Sequence, residues 1–174
     1  MLKAYYAKNI WHNIKLTRPN MLIRLHTMKT NLVQSSDGVK IAYDIQGVGP
    51  AIVLLHGAGK TRADWHKTAY VARLQDTFTV ITIDLRGCGD SEPTLEIDGF
   101  RLEQLANDVK AVLDVCGIEQ YALWGYSLGG NIARFLATRS ACVKALVVIG
   151  IPLGSVLFPE FKKTLQRLNK NGVH

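Results

Sequence analysis

The chain has 174 residues, 48% of them hydrophobic and 20% charged, with 15 Gly and 5 Pro; that length and composition fit one globular domain and exclude disordered, collagen-like and low-complexity classes. Its longest purely apolar runs, such as Ala51 to Leu55 and Ala145 to Ile149, fall far short of the about 20 residues a membrane helix needs, so no membrane span is expected. The formal net charge of +7 is uneven, with six Lys/Arg and no acid in residues 1 to 36 but 15 basic and 14 acidic residues from 37 to 174, so the nearly neutral body offers no general nucleic-acid surface beyond the tail near Lys162 and Lys163.

Residues 1–28 differ from the rest: basic, free of acids, and carrying Tyr5, Tyr6 and Trp11. Three readings compete for them. A mitochondrial-type presequence would be Arg-rich and Ser-rich, and this segment has two Arg and no Ser. A secretory signal would need a continuous apolar stretch and a small-residue cleavage site. The third reading, preferred because a strand pattern begins right after Met28, makes Met28 the start and the preceding residues an upstream extension.

From there the pattern is α/β. Thr30 to Gln34 and Val39 to Ile45 read as strands joined by the turn signal Ser36-Asp37-Gly38, a hairpin. Ala51 to Leu55 is an all-apolar strand of the kind buried on both faces of a parallel sheet. Arg62 to Gln75 reads as a helix, and Phe78 to Ile83 as the next buried strand. Leu102, Leu105, Ala106, Val109, Val112, Leu113 and Cys116 fall at helical spacing, and Gly117 stops that helix. Tyr121 to Trp124 reads as a strand, Leu128 to Thr138 as a helix and Val143 to Ile149 as a strand. Strands alternating with helices imply right-handed crossovers and a mostly parallel sheet with helices on both faces. Leu157, Phe161, Leu165 and Leu168 then form an amphipathic stripe within the tail 155–174. Residues 29–154 are the expected core.

Three cysteines, Cys88, Cys116 and Cys142, form no Cys-x-x-Cys pair, and the histidines are not at zinc-ligand spacing. No metal or organic cofactor is expected, and reduced thiols favour a cytoplasmic protein, with mitochondria the alternative if residues 1–28 are a presequence.

Gly125-Tyr126-Ser127-Leu128-Gly129 is a G-x-S-x-G motif between a predicted strand and a predicted helix. A sharp turn there pushes the serine hydroxyl beyond the carboxyl edge of the sheet, and glycines on both sides avoid collision. The helix that follows aims its amides at developing negative charge. The plainer alternative is a glycine-rich turn whose serine merely caps the helix. His56-Gly57-Ala58-Gly59 follows the strand Ala51 to Leu55, and a backbone amide from this loop can pair with the Leu128 amide to hold an oxyanion. His56 is read as ordering that loop through hydrogen bonds rather than as a base. In Asp84-Leu85-Arg86-Gly87-Cys88-Gly89-Asp90-Ser91, Gly87 and Gly89 permit an unusual turn that Asp84 and Arg86 lock, a structural role.

The ordered set HGAG, DLRGCGDS and GYSLGG resembles the α/β-hydrolase superfamily over roughly Asn31 to Pro152, and within it is similar to single-domain serine esterases, lactonases and related carbon–carbon hydrolases. The resemblance implies Ser127 as nucleophile, the Ala58 and Leu128 amides as the oxyanion hole, and a small-molecule carbonyl substrate. Serine rather than aspartate at the nucleophile argues against haloalkane dehalogenase or epoxide hydrolase chemistry. The family order of Ser, acid, His finds only Glu160 and the terminal His174 after Ser127, so neither the acid nor the His is assigned. The resemblance implies two further strands, which makes the chain look truncated, with the tail the possible start of a cap. The alternatives are a catalytically inactive hydrolase-fold fragment or binding module and, remotely, a nucleotide-binding protein, because Gly59-Lys60-Thr61 resembles the end of a phosphate-binding loop. The position where that signature needs its first glycine is Leu54. Oligomeric state is not legible.

Overall fold

A computed structural model of the chain describes residues 28–94 and 97–151, together with Arg167. The basic N-terminal segment and the amphipathic stripe of the tail lie outside the described residues. Strand β1 (Asn31–Gln34) and strand β2 (Lys40–Gln46) form the expected antiparallel hairpin, with Asn31 opposite Tyr43 and Gln34 opposite Lys40. Gly38 takes a φ of +90° in the connecting turn, a conformation L side chains rarely adopt.

Strands β3 (Ala51–Leu55), β4 (Thr79–Ile83), β5 (Tyr121–Tyr126) and β6 (Val143–Ile149) are parallel, and β2 pairs antiparallel with β4. The sheet order is β1-β2-β4-β3-β5-β6. All five residues of β3 are buried, as its unbroken apolar run requires of a strand covered on both faces.

Among the described residues, four α-helices cover the two faces. On one face lie α1 (Ala63–Lys67) and α2 (Tyr70–Leu74), whose Trp65, Val71 and Leu74 pack on Ile52, Leu54, Val80 and Trp124. On the other lie α3 (Leu102–Val115) and α4 (Leu128–Arg139). There Leu105, Val109 and Val112 meet Val53, Ile81 and Leu123, with Ile132, Ala133 and Leu136 beside them. A leucine or isoleucine buried this way contributes about 1.5–3 kcal/mol of apolar transfer energy. Gly117, at φ +66°, ends the α3 segment as predicted. Arg167 Nη2 donates to the carbonyls of Ala137 and Ser140 at 2.9 and 3.1 Å, near the carboxyl end of α4.

The single helix expected over Arg62 to Gln75 is instead two short ones. Ala69 sits at φ +61°, and the helix restarts beyond it with the Arg73 amide donating to the Ala69 carbonyl at 3.1 Å. Packing explains the break. Residues five apart on one helix point about 140° apart, yet the Trp65 and Tyr70 rings stack edge to face at 5.4 Å, and both meet Trp124. Aromatic contact with the sheet outweighs helix continuity here.

Candidate active site

β5 ends at Tyr126 and α4 begins at Leu128, so one residue turns the chain from strand to helix. That residue, Ser127, has φ 51° and ψ −113°. A non-glycine residue there carries about 1–3 kcal/mol of backbone strain, which surrounding structure must hold. Two glycines make the turn possible. A Cβ on Gly125 would overlap the Gly129 carbonyl, and one on Gly129 would overlap the Leu55 carbonyl at the end of β3. Three backbone bonds fix the junction. The Ser127 amide donates to the Ile149 carbonyl at 2.8 Å, the Gly129 amide to the His56 carbonyl at 3.1 Å, and the Asn131 amide to the Ser127 carbonyl at 3.1 Å. The Ser127 side chain makes no capping bond to α4 and is partly exposed. Capping therefore does not account for the serine.

The His56–Gly59 loop runs against this turn. A Cβ on Gly57 would lie 3.2 Å from Ser127 Cβ and 2.8 Å from the Tyr126 ring. Gly59, at φ +69°, lets the Lys60 amide donate back to the Gly57 carbonyl at 3.2 Å, which leaves Ala58 exposed at the apex. Among the described residues, neither the Ala58 nor the Leu128 amide has an acceptor. Leu128 also opens a 12-residue helix, whose amide end carries partial positive charge.

His56 is buried, and both ring nitrogens are engaged. Nδ1 donates to the Gly57 carbonyl at 2.8 Å, while Nε2 accepts from the Leu85 amide at 3.0 Å. The carbonyl can only accept and the amide can only donate, which assigns the neutral tautomer with its proton on Nδ1. Burial pushes its pKa below the ordinary 6.5. The ring orders the loop, as the sequence suggests, and has no nitrogen free for proton transfer.

The Asp84–Ser91 turn is structural in the same sense. Asp84 is buried, accepting from the Arg62 amide at 2.7 Å, the Asp90 amide at 3.0 Å and the Arg62 guanidinium. A Cβ on Gly89 would overlap that carboxylate. Arg86 makes a bidentate pair with Asp108 on α3, at 2.8 and 2.6 Å, and reaches Asp37 in the hairpin turn at 2.7 Å. Ser35 Oγ completes the Asp108 shell at 2.6 Å. The sequence motif points to Arg86 but not to Asp37, Asp108 or Ser35, which come from distant segments.

Among the described residues, no histidine or carboxylate bonds to Ser127. His66, on α1, lies 3.2 Å from buried Asp44 of β2 through its Nε2. This pair has no signature in the sequence, because nothing there shows that β2 and α1 meet. Glu160 and His174 lie outside the described residues. No helix among the described residues is long and apolar enough to cross a membrane.

A family model described as the alpha/beta hydrolase fold matches residues 50–171. The chain belongs to the alpha/beta hydrolase family. Its relatives include a soluble epoxide hydrolase of Corynebacterium sp. (strain C12), 34% identical over 101 residues that cover 58% of this chain and 34% of that protein. The dihydrolipoyllysine-residue acetyltransferase component of the acetoin cleaving system of Cupriavidus necator is 34% identical over 119 residues, covering 68% of this chain and 31% of that one. Among solved structures, the bottromycin epimerase BotH in complex with bottromycin A2 aligns with a TM-score of 0.68 at 30% identity, over 75% of this chain and 52% of that one. The epoxide hydrolase VrEH1 of Vigna radiata aligns at 0.66 and 24% identity, over 78% and 41%, a likeness of fold alone. The family member described here spans about a third of the length of these curated relatives.

Proposed function

We propose that this hydrolase-family chain carries the nucleophile and oxyanion donors of a serine hydrolase acting on a carboxylic ester, lactone, thioester or related carbonyl substrate. The observation that carries the reading is Ser127 held at φ 51° between two glycines that admit no side chain, with its hydroxyl left out of helix capping. Strain maintained by contacts from three strands points to a chemical use for the hydroxyl. The Ala58 and Leu128 amides, both without acceptors among the described residues, suit the developing oxyanion of a tetrahedral intermediate.

In this mechanism Ser127 Oγ attacks the substrate carbonyl carbon while its proton passes to a base outside the described residues. The two amides stabilise the oxyanion, each worth about 2.7–4 kcal/mol by analogy with one measured donor. The leaving alcohol or thiol departs protonated, and water then cleaves the acyl-serine. His56 does not supply the base, because both its nitrogens are occupied.

The epoxide hydrolases among the relatives raise ring opening as an alternative. Serine attack on an epoxide carbon would form an ether, which water does not cleave under mild conditions. Attack on a carbonyl forms an ester, which water does cleave. The serine favours the carbonyl substrate.

A second reading, a binding module on the same fold, draws support from the absence of a base beside Ser127 among the described residues. A fluorophosphonate probe separates the two. Ser127 labelling that disappears in Ser127→Ala supports the hydrolase. A folded wild-type chain that stays unlabelled overturns it and leaves the binding module.

A further inference from the structure

The residue before the serine has an unusual setting. Tyr126 is the last residue of β5 and pairs in register with Ile149 of β6. One edge of its ring, Cδ1 and Cε1, faces Gly57, where a Cβ would lie 2.8 and 3.1 Å away. The other edge, Cε2 and Cδ2, faces Gly150, where a Cβ would lie 2.9 and 3.3 Å away. The ring therefore fills the room of two missing side chains, one on each neighbouring strand end, while 45% of the residue stays exposed. Gly150 has φ +74°, which by itself explains a glycine there. Gly57 has no positive φ, and the atoms nearest to a Cβ there belong to the Tyr126 ring and to Ser127.

We infer that Tyr126 is a positioning residue: its ring, gripped between Gly57 and Gly150, holds the turn that carries the Ala58 amide at working distance from Ser127. The inference rests on the serine-hydrolase reading for its chemical consequence. Internal bonds of the Gly57–Lys60 turn fix its shape: the Gly57 carbonyl accepts from the Lys60 amide and from His56 Nδ1. They do not fix where the turn sits over the sheet edge. The Gly129–His56 bond anchors its base, and the Tyr126 ring lies against the turn at Gly57. A ring edge is stiff and an oxyanion donor tolerates little displacement, so the contact matters for rate rather than for binding.

The test uses the 174-residue chain with Tyr126→Phe, Tyr126→Ala, Gly57→Ala and the Tyr126→Ala/Gly57→Ala pair. Hydrogen exchange of the Lys60 amide reads the turn, and α3 amides check that the sheet is intact. Tyr126→Ala is expected to speed Lys60 exchange by about tenfold with α3 unchanged, and Tyr126→Phe to behave as wild type. Gly57→Ala alone is expected to loosen the turn, and to do so far less when the ring is gone, a coupling that a merely structural tyrosine elsewhere would not show. With a fluorophosphonate probe, Tyr126→Ala is expected to lower the limiting labelling rate of Ser127 by about tenfold or more while half-saturation stays put. Wild-type Lys60 exchange in a folded Tyr126→Ala chain, or additive effects in the pair, overturns the inference, as does a loosened turn with an unchanged labelling rate. If Tyr126→Ala does not fold, Gly57→Ala decides, and unchanged Lys60 exchange in it overturns the inference. A wild-type chain that never labels refutes the hydrolase reading, while the exchange data still judge the ring's hold on the turn.

Discussion

The Gly129 amide donates to the His56 carbonyl at 3.1 Å, so the first turn of α4 is bonded to the end of β3. An orphan amide of a helix N-terminus is thereby satisfied by a carbonyl just beyond a neighbouring strand. The approach is close enough that a Cβ on Gly129 would overlap the Leu55 carbonyl. Gly129→Ala is expected to cost about 3 kcal/mol or more, since backbone rather than a flexible side chain must move. Urea unfolding followed by tryptophan fluorescence checks this, and a midpoint equal to wild type refutes it.

Ser127 is expected to destabilise the fold it serves. With φ 51° and ψ −113°, the position suits glycine, and Ser127→Gly should raise stability by about 1 kcal/mol. Ser127→Ala keeps the Cβ and should gain nothing. Both variants should abolish fluorophosphonate labelling. Equal urea midpoints for the glycine and alanine variants would show that the turn is not strained.

Arg86 joins two carboxylates of unequal exposure. The Asp108 side chain is 1% exposed and the Asp37 side chain 36% exposed. Asp108→Ala leaves a buried guanidinium with half its partners gone and should cost about 3–5 kcal/mol. Asp37→Ala should cost about 1 kcal/mol or less, because water replaces the carboxylate. Asp108 also accepts from Ser35 Oγ, so Ser35→Ala should fall between them. Comparable losses for Asp37 and Asp108 would refute the ranking.

Burial holds His56 below its ordinary pKa of 6.5. As pH falls through 6.5 the unfolded chain takes up a proton that the folded chain refuses, so this residue makes stability decline below about pH 6.5 and leaves it flat above. The lowered carboxyls of Asp37, Asp44 and Asp64 act in a lower window: their contribution is full above their ordinary 3.8 and is lost as pH falls through their folded values. Urea midpoints should therefore decline as pH drops from about 6.5 to 5.5 in wild type and decline less in His56→Asn, which keeps a donor near Nδ1. Parallel profiles would show that folding does not lower the pKa of His56.

The sheet and the strand-to-helix turn at Ser127 were legible because their signals are local. Unbroken apolar runs mark β3 and β6, the Ser36-Asp37-Gly38 turn marks the hairpin, and G-x-S-x-G between strand and helix marks Ser127. The break at Ala69 was not legible: helical periodicity runs through it, and only the placement of Trp124 beneath Trp65 and Tyr70 shows why the helix gives way. The partners of Arg86 stayed hidden for the same reason, since Asp37 and Asp108 lie on segments that meet only once the sheet is assembled. Tyr126 reads as a variable position of the motif, and its role emerges only with Gly57 and Gly150 on either side of it.

Nothing within Tyr126–Leu128 can hold Ser127 at a positive φ. The hold comes from the crowding at Leu55, the His56 carbonyl and the Ile149 carbonyl, at the ends of the two strands flanking β5. On the serine-hydrolase reading proposed above, the turn relaxes and the hydroxyl becomes an ordinary one when β3 or β6 leaves β5. A serine-directed probe would then act as a clock for sheet opening: the fraction of chains that react within the dead time is the fraction whose central strands are zipped, measured at one oxygen atom.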